Sequence, residues 1–348
     1  MQIAFRLGEE GIEPERGSPV LNVYFPTEEK TDLRFRVHAP FLLTDNRANV
    51  KRGEPVSEQL IETCARLLVK SLSQIRDRGL LSVTCPNCLP IHREFWDSSE
   101  SDADGPLFTP LFRAVREILE HERLLPAANG QFVCASAAKL AGSSELRAIL
   151  TEDDLATLFD ATTPIYWLSA DITPDRTHDL HTYLRRQIGI SVIDPEGFAN
   201  RITAAFLQKQ TDEWMVRFYT FLRDQRGLWD SEKHGNPILR SKPILRLENN
   251  THQAPFKWDG KTPNVFLAPQ RDTQCPILKR SINKHAAANE FFRQLGLSEP
   301  DILADVMECI LPRYRGNGAT IDDAVYLADL AQIAQAIDSC PHQRRDDL

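Results

Sequence analysis

An imperfect internal repeat constrains the fold of this chain more than any other feature of its sequence. The segment RQIGIS at residues 186–191 matches RQLGLS at residues 293–298, and the glycines of the two segments lie 107 residues apart. Gly189 and Gly296 each stand at the end of a predicted helix, where a left-handed backbone favours glycine. The match predicts two related modules. Chance similarity is the alternative, because the unit is longer than the common short repeats.

A hairpin-like segment precedes each copy. The stretch LLPAANGQFVCAS has apolar residues on both sides of Asn129-Gly130, and PILRLENNTHQAPF has them around Asn249-Asn250, 120 residues later. Asn-Gly between apolar runs is a strong signal for a tight turn that joins two strands. Each module is therefore predicted to be a strand pair followed by helices, the last of which ends at a glycine.

The N-terminal part has strand patterns followed by one long helix pattern. Strands are predicted at residues 3–7, 20–25 and 33–38, and apolar and basic side chains alternate along the last of them. Apolar residues then recur at helical spacing over residues 57–78, with Ser57 as the expected N-cap and Gly79 as the expected stop. A second helix is predicted over residues 111–122.

These patterns predict an α+β fold, helix-rich, with short sheets and hairpins and a duplicated hairpin-plus-helices module. We expect a strand-rich segment with a connecting helix at 1–106, a first α+β module at 107–228, a second at 235–315, and a C-terminal helix and tail at 316–348. The acidic run DSSESDADG at residues 97–105 is predicted to be an exposed loop at the first boundary.

Composition excludes several classes of protein. The chain has 348 residues, 42% of them hydrophobic and 26% charged, which is typical of a globular protein. Its apolar runs are too short for a membrane helix, and the N-terminus lacks the pattern of a signal peptide, so we expect a cytoplasmic protein without membrane contact. A net charge of −8 argues against a basic coat for nucleic acid, and seven cysteines, an odd number, favour reduced thiols.

One group of residues has the types that bind zinc. Cys85 and Cys88 are separated by two residues, and His92 follows four residues after Cys88. Two thiolates and an imidazole are zinc ligands, but a complete structural site needs four, and the sequence has no second CxxC. The alternative is an ordinary turn, and it is the one that we favour.

A second group could contact phosphate. The sequence contains no GxxxxGK[ST], GxGxxG, GxSxG or HExxH motif, so no complete nucleotide or catalytic site is predicted. The loop at residues 38–47 ends in Asn46-Arg47, and an arginine there could contact a nucleotide held by another domain. Local hydrogen bonds among the turn-forming residues Thr44, Asp45 and Asn46 are the alternative.

The same loop ends a stretch that resembles a known family. VYFPTEEKTDLRFRVHAPFLLTDNR, residues 23–47, resembles the segment after the ATPase domain in sacsin-like bacterial proteins, whose GHKL-type ATPase has the fold of the heat-shock chaperone ATPases. LLPAANGQFVCASAAKLA, DEWMVRFYTFL, PNVFLAP and FFRQLGLSEPDILADVMECILPRY also look similar, so the resemblance covers about residues 1–315.

The resemblance implies that ATP and Mg²⁺ bind upstream of this chain. The acidic-and-Asn helix and the Gly-rich lid motifs of that family are missing here, and IAFRL at residues 3–7 resembles one of the last strands of the ATPase domain. We therefore expect a truncated gene product, a fragment or a partner subunit. A middle-domain arginine acts on the nucleotide site in trans in heat-shock chaperone ATPases, and Arg47, beside Asn46, is the nearest analogue.

Three hypotheses follow. The favoured one is a non-catalytic middle or scaffold region of a sacsin-like ATPase protein, which binds protein clients or assists regulated assembly, with a GHKL-type ATPase domain as partner, upstream or on a separate chain. It implies that this chain alone is not an enzyme and has no cofactor of its own. The second is a zinc-stabilised or metal-dependent module that uses Cys85, Cys88 and His92. The third is a nucleic-acid-binding module of a defence system that uses the arginine-rich stretch at 34–52.

Overall fold

The computed structural model describes residues 1–9, 11–17, 19–83, 85–92, 106–231, 237–315 and 322–339. The fold is α+β, with helices and several short sheets. The chain forms two compact units, one of Met1–Ala156 with Asp160–Ile193, the other of Thr157–Phe159 with Asp194–Leu348. Compact units and duplicated modules are different divisions of a chain, so the predicted domain boundaries stay a prediction. The acidic run at 97–105 and the tail after residue 339 lie outside the described residues.

The first unit begins with strands. A four-stranded sheet has the order β1-β6-β4-β5, and β2 and β3 form a separate antiparallel pair. The strands are β1 (Gln2–Ala4), β2 (Arg6–Gly8), β3 (Gly11–Glu13), β4 (Val20–Val23), β5 (Phe25–Lys30) and β6 (Arg36–His38). The single strand predicted at 3–7 was wrong, since β1 pairs with β6 and β2 pairs with β3.

The alternation in the third predicted strand corresponds to burial. Leu33, Phe35 and Val37 are buried, whereas Arg36 between them is exposed. A strand turns successive side chains to opposite faces, so this pattern puts one apolar row into the core. The basic row then faces carboxylates on neighbouring segments.

Two long helices cover this core. Helix α1 (Pro55–Asp77) buries a stripe that includes Ile61, Cys64 and Leu68, and it packs against α2 (Thr109–His121). The sequence predicted Ser57 as the N-cap, and this was wrong, because Glu54 is the N-cap. Pro55 already fits the first helical turn, so α1 begins earlier and Ser57 is buried within it. Gly79 follows the helix with a φ of 70°, and its N–H bonds to the carbonyl of Arg76 at 2.8 Å.

The remainder of the first unit is built around a small parallel sheet of order β10-β9-β11. A hairpin precedes it and short helices connect its strands. The elements are β7 (Leu125–Pro126), β8 (Phe132–Val133), β9 (Ala138–Ala141), α3 (Ser144–Ile149), α4 (Glu152–Leu158), β10 (Tyr166–Trp167), α5 (His178–Arg186) and β11 (Val192–Ile193).

The described part of the second unit is mostly helical and includes the antiparallel hairpin β12-β13. Its core is aromatic, and Trp214, Phe218, Phe221 and Leu222 are buried in it beside Trp229. The elements are α6 (Pro195–Arg201), α7 (Ala204–Gln208), α8 (Asp212–Asp224), β12 (Leu245–Arg246), β13 (His252–Gln253), α9 (Arg280–Asn283), α10 (Ala286–Leu295), α11 (Ile302–Asp305), a π-helical turn (Val306–Ile310), α12 (Leu311–Arg315) and α13 (Asp323–Ser339).

The two predicted hairpins close with the same hydrogen bonds. In the first, the N–H of Ala127 donates to the carbonyl of Gln131 at 2.8 Å, and in the second the N–H of Leu247 donates to that of Thr251 at 2.9 Å. In each turn an asparagine side chain, Asn129 or Asn249, accepts from the backbone N–H two residues later at 3.0 Å. The turns are therefore alike in both backbone and side-chain bonding.

Both turns also need a residue with a left-handed backbone at the same position. Gly130 has a φ of 82° and Asn250, at the same position, has a φ of 63°. Glycine adopts this conformation without steric cost, and asparagine is one of the few other residues that tolerates it. The second sequence thus replaces Asn-Gly by Asn-Asn without changing the turn.

The segments after the hairpins correspond as well. The N–H of Leu140 in β9 donates to the carbonyl of Ser191 at 3.1 Å, and that of Leu267 donates to the carbonyl of Ser298 at 3.0 Å. Both serines belong to the repeated segments found in the sequence. Phe266, next to Leu267, makes a parallel bridge to Ile277, as β9 does to β10.

Both copies end in the same two local structures. Gly189 and Gly296 follow α5 and α10 with φ of 80° and 100°. Asp194 and Asp301 then cap α6 and α11, each accepting from the backbone N–H three residues later, at 2.7 Å and 2.6 Å. The two segments therefore share one backbone hydrogen-bonding scheme, as the repeat predicted.

Candidate interaction surface

The loop predicted to contact phosphate is held by local hydrogen bonds. The Asn46 side chain accepts from the Thr44 hydroxyl at 2.6 Å and from the Ala48 N–H at 3.1 Å. Arg47 has a φ of 58°, donates its N–H to the carbonyl of Thr44 at 2.7 Å, and exposes its side chain. Asn46 thus shapes the turn, and Arg47 is the residue of the two that is placed to reach a partner.

Most other cations of the stretch 34–52 are paired with carboxylates. Arg34 contacts Asp179 at 2.9 Å, Arg36 contacts Glu15 at 2.8 Å and Arg52 contacts Glu29 at 3.0 Å; Lys51 contacts Glu54 at 2.6 Å. Binding to nucleic acid depends on cations that neutralise phosphates. Because these pairs compensate the basic charge locally, the geometry does not favour a nucleic-acid interface here.

The predicted metal ligands lie in and after a buried 3-10 turn. Cys85–Cys88 form this turn, and Cys85, Cys88 and His92 are all buried. His92 Nδ1 lies 3.3 Å from Asp179 Oδ2, the oxygen that Arg34 also contacts. Within the described ranges, no three His, Cys, Asp or Glu side chains are grouped in a way that could hold a metal ion.

Protonation of the two thiols follows from their surroundings. Burial raises the pKa of Cys85 to about 12, and burial, with the neighbouring Cys85, also raises the pKa of Cys88. Zinc binds thiolates, so a metal ion here would have to displace two protons from sites that disfavour charge. The turn is the alternative that the geometry favours, and zinc binding stays a prediction.

The C-terminal helix α13 has an unusual environment for its sequence. It is rich in alanine and aliphatic residues, and it carries no Lys, Arg or His. A helix that is apolar on all sides is normally buried. In α13, however, Asp329 and Ala336 are buried while most other side chains are exposed or half-buried.

One side of α13 anchors it to the second unit. The Asp329 carboxylate accepts from Arg313 at 2.8 Å and from the Tyr314 hydroxyl at 2.9 Å, and it is almost fully buried. Ala336 packs on the same side with Val306 and Ile310 of the π-helical turn. A charge-assisted contact and an apolar contact thus fix the inner side of the helix.

The opposite side of α13 forms an exposed apolar stripe. Its residues follow the spacing of three and four that puts side chains on one helix face. We define the outer face of α13 as Leu327, Leu330, Ala331, Ala334 and Ile337, all of which are exposed. Leu327 retains 65% of its accessible surface, Leu330 42% and Ile337 43%.

Within the described residues of α13, every ionisable side chain except tyrosine is an aspartate. Asp323 lies at the start of α13 and Asp338 in its last turn, and both are exposed. A carboxylate near the C-terminal end of a helix opposes the negative end of the helix dipole, so a cation from a partner would be favourable there. The face therefore combines apolar area with acidic ends.

An exposed tryptophan lies elsewhere in this unit. Trp258 is 98% exposed at the tip of a turn, with Lys257 N donating to Thr262 O at 2.8 Å across the base. The Asp259 carboxylate accepts the N–H groups of Lys261 and Thr262 at 2.9 Å and 2.8 Å, so side-chain hydrogen bonds hold the turn together. Tryptophan is enriched among the residues that dominate binding at protein interfaces.

Sequence reasoning did not find these surfaces. A C-terminal helix was predicted within 316–348, but its exposure depends on which neighbours cover it, which periodicity cannot show. A usable signal was present, since a segment rich in alanine and aliphatic residues, without one cation, is unlike a solvated surface helix. No helix in the described part of the chain is both long and apolar enough to cross a bilayer.

Comparisons with known proteins do not identify a relative. Neither the models of protein families, nor the curated proteins, nor the solved structures gave a match.

Proposed function

We propose that this chain is a non-catalytic interaction scaffold that binds a protein partner through the outer face of α13. The observation that carries the proposal is the exposed stripe of Leu327, Leu330 and Ile337 on a helix whose inner side is already fixed. Contiguous apolar surface of this kind marks an interaction site in many proteins. The predicted cytoplasmic location belongs to the same proposal.

The apolar area sets the scale of the interaction. Full burial of a leucine or isoleucine side chain stabilises by about 1.5–3 kcal/mol. The three large side chains of the outer face are each about half exposed, so covering them contributes about 3 kcal/mol. Association costs at least about 4 kcal/mol, so the partner must add contacts beyond these three. Tyr326, at 45% exposure and four residues before Leu330, adjoins the face and extends it.

The chemistry of α13 specifies the kind of partner. An apolar stripe with aspartates at both ends fits an apolar helix or groove that is flanked by lysine or arginine. Two molecules of this chain would instead bring acidic ends together in an antiparallel pair. By the resemblance of residues 23–47, we propose a GHKL-type ATPase domain as the partner, with protein clients as the wider class. ATP and Mg²⁺ would then bind to that domain.

The structure gives no support to the two alternative hypotheses from the sequence. The cations at 34–52 are largely paired with carboxylates, and the thiols of Cys85 and Cys88 are held protonated by burial. Neither observation favours a nucleic-acid module or a zinc module over an interaction scaffold.

A defined peptide tests the partner chemistry. The probe is a fluorescent helical peptide with a leucine and alanine face and lysines at both ends, and its control has glutamates at the ends. We expect the lysine peptide to bind at least about tenfold more tightly than the glutamate peptide, measured by fluorescence anisotropy. The double variant Leu327→Asp/Leu330→Asp should weaken binding by a similar factor.

The matched control is Gln335→Asp, which adds a carboxylate to an exposed position of α13 outside the outer face. It should leave the affinity within about twofold, because it removes no apolar contact. Equal binding of the lysine peptide to the double variant would contradict the proposal. So would a concentration-dependent dimer, seen by light scattering and lost in the double variant, because the face would then be covered by a second copy.

Calorimetry with ATP and Mg²⁺ tests the non-catalytic part separately. We expect no saturable binding to the isolated chain. Tight binding would show a nucleotide pocket within it and would refute the scaffold proposal while leaving the peptide result intact.

A further inference from the structure

A pair of cysteines lies in contact in the second unit. Cys275 Sγ and Cys309 Sγ are 3.4 Å apart, and both cysteines are free thiols. We infer that this pair is an oxidation site, at which a hydroperoxide converts the two thiols into a disulfide. The inference is independent of the proposed function, since it rests on this contact and not on α13.

The backbone around the pair already holds the sulfurs in place. Cys275 follows a segment in which Arg271 and Thr273 both donate to the carboxylate of Asp305, at 2.5 Å for Arg271. Arg271 also donates to the carbonyl of Pro300 at 2.7 Å. Asp305 directly precedes the π-helical turn that contains Cys309. The two segments are thus tied together before any covalent bond forms.

The two sulfur atoms need to move only a short distance to form a disulfide bond. A disulfide has a sulfur–sulfur length of about 2.05 Å, so the sulfurs must approach by little more than about 1 Å. A π-helical turn carries an extra residue per turn and occurs often at functional sites. Adjustment of this turn is one route by which Cys309 can close the distance.

The two thiols have different roles. Cys275 is only 4% exposed, whereas Cys309 is half-buried and open to a small molecule. The hydrogen bond between the thiols lowers the pKa of Cys309 and raises that of Cys275, where burial acts in the same direction. Burial, Asp305 and Glu308 oppose the lowered pKa of Cys309, and Arg313 adds to it. Cys309 is therefore the attacking thiolate and Cys275 the resolving thiol.

The chemistry balances with a hydroperoxide as oxidant. The Cys309 thiolate attacks the outer peroxide oxygen, the O–O bond breaks, and the leaving alkoxide takes up the proton that the thiol had released, which gives an alcohol and a sulfenic acid on Cys309. Cys275 then attacks that sulfur, the S–O bond breaks, and water leaves with the thiol proton. Two thiols and one hydroperoxide thus yield one disulfide, one alcohol and one water, and a dithiol reductant reverses the change.

The disulfide would close a loop of the chain over the 34 positions that separate the two cysteines. It would pin the segment at 271–276 to the π-helical turn. Cleavage of this loop by a protease requires local opening, so oxidation should slow cleavage between Cys275 and Cys309.

Peptide mapping tests the site directly. The full chain is treated with one equivalent of hydrogen peroxide, digested without reductant and analysed by mass spectrometry. We expect the Cys275–Cys309 crosslink to be the main oxidised product, and cleavage within the loop to slow by at least about threefold in the oxidised protein. Dimedone should label Cys309 in the variant Cys275→Ser.

Cys134→Ser is the matched control. Cys134 is half-buried like Cys309, but its sulfur contacts the Ser136 hydroxyl at 3.2 Å. The control should form the crosslink as the natural sequence does, whereas Cys309→Ser should form none, and circular dichroism checks that both variants fold. The inference fails if peroxide oxidises Cys134 without forming the crosslink, if the crosslink appears only after denaturation, or if dimedone labels Cys275 in Cys309→Ser.

Discussion

The carboxylate of Asp212 stabilises the second unit by an amount that unfolding experiments can measure. It lies at the start of α8, where Oδ1 accepts from Arg246 at 2.9 Å. Oδ2 contacts Lys279 Nζ at 2.7 Å and accepts from the Ser281 hydroxyl at 3.1 Å. The substitution Asp212→Asn keeps the size of the side chain and removes its charge.

The magnitude follows from the burial of Arg246. Its side chain is 5% exposed, and it also donates to the carbonyls of Leu207 and Gln210. Removal of one partner of a buried ion pair costs about 3–5 kcal/mol. The Asp212 side chain is 29% exposed, so water replaces part of the lost interaction, and the asparagine oxygen still accepts one hydrogen bond. We therefore expect a loss of about 2 kcal/mol.

Urea unfolding at pH 7 measures this loss. Tryptophan fluorescence reports on the second unit through the buried Trp214 and Trp229. With a slope of about 2 kcal/mol per M, the midpoint should fall by about 1 M urea. Asp224→Asn is the control, since Asp224 is 66% exposed and pairs with Arg223 at the surface. Its midpoint should not move. A midpoint for Asp212→Asn equal to that of the control would refute the reasoning.

The pH dependence of stability is a second test of the Asp212 carboxylate. Burial raises the pKa of Asp212, but hydrogen bonds from Lys279, Arg246 and Ser281 outweigh it, so the pKa lies below its ordinary value of 3.8. A lowered pKa in the folded state means that the stabilisation is present above the unfolded value and is lost as the pH falls through the folded one. The difference between the natural sequence and Asp212→Asn should be full at pH 7 and should shrink below about pH 4.

Three further predictions concern the turns and the cysteines. Gly189→Ala and Gly296→Ala should each destabilise the fold by about 1–2 kcal/mol in urea unfolding, because both glycines have a left-handed φ, and a shift smaller than about 0.3 kcal/mol would contradict this. Asn250→Gly should leave stability within about 0.5 kcal/mol while Gly130→Ala lowers it by about 1 kcal/mol, and the opposite order would show that the two turns are not equivalent. Elemental analysis should find no stoichiometric zinc bound at Cys85 and Cys88, and one zinc per chain that is lost in Cys88→Ser would restore the metal hypothesis.

The sequence predicted the features that depend on local chemistry. Asn129-Gly130 specified a turn, and the alternation at residues 33–38 specified which side chains are buried. The repeated segments at 186–191 and 293–298 led to the equivalent serines and glycines. Each of these features is decided by a few neighbouring residues, so it can be read without knowing the rest of the fold.

What the sequence did not show depends on residues that are distant along the chain. The pairing of Arg34 with Asp179 and the contact of Cys275 with Cys309 join segments 145 and 34 positions apart. The N-cap at Ser57 was misplaced because Pro55 also fits the first turn of a helix. The exposure of the outer face of α13 is set by what surrounds that helix, and a periodic pattern contains no information on that.

The shared hydrogen-bonding scheme of the two hairpins also implies a difference in how they open. At equivalent positions the first has Pro126, which has no N–H, and the second has Arg246, whose N–H donates to the Tyr219 hydroxyl at 3.0 Å. The Tyr219 hydroxyl in turn donates to the carbonyl of Ile244 at 2.9 Å. These two hydrogen bonds attach β12 to the middle of α8. In amide hydrogen exchange, β12–β13 should therefore exchange together with α8 as one cooperative unit, whereas β7–β8, which bonds to residues 167–169 instead, should exchange together with β10.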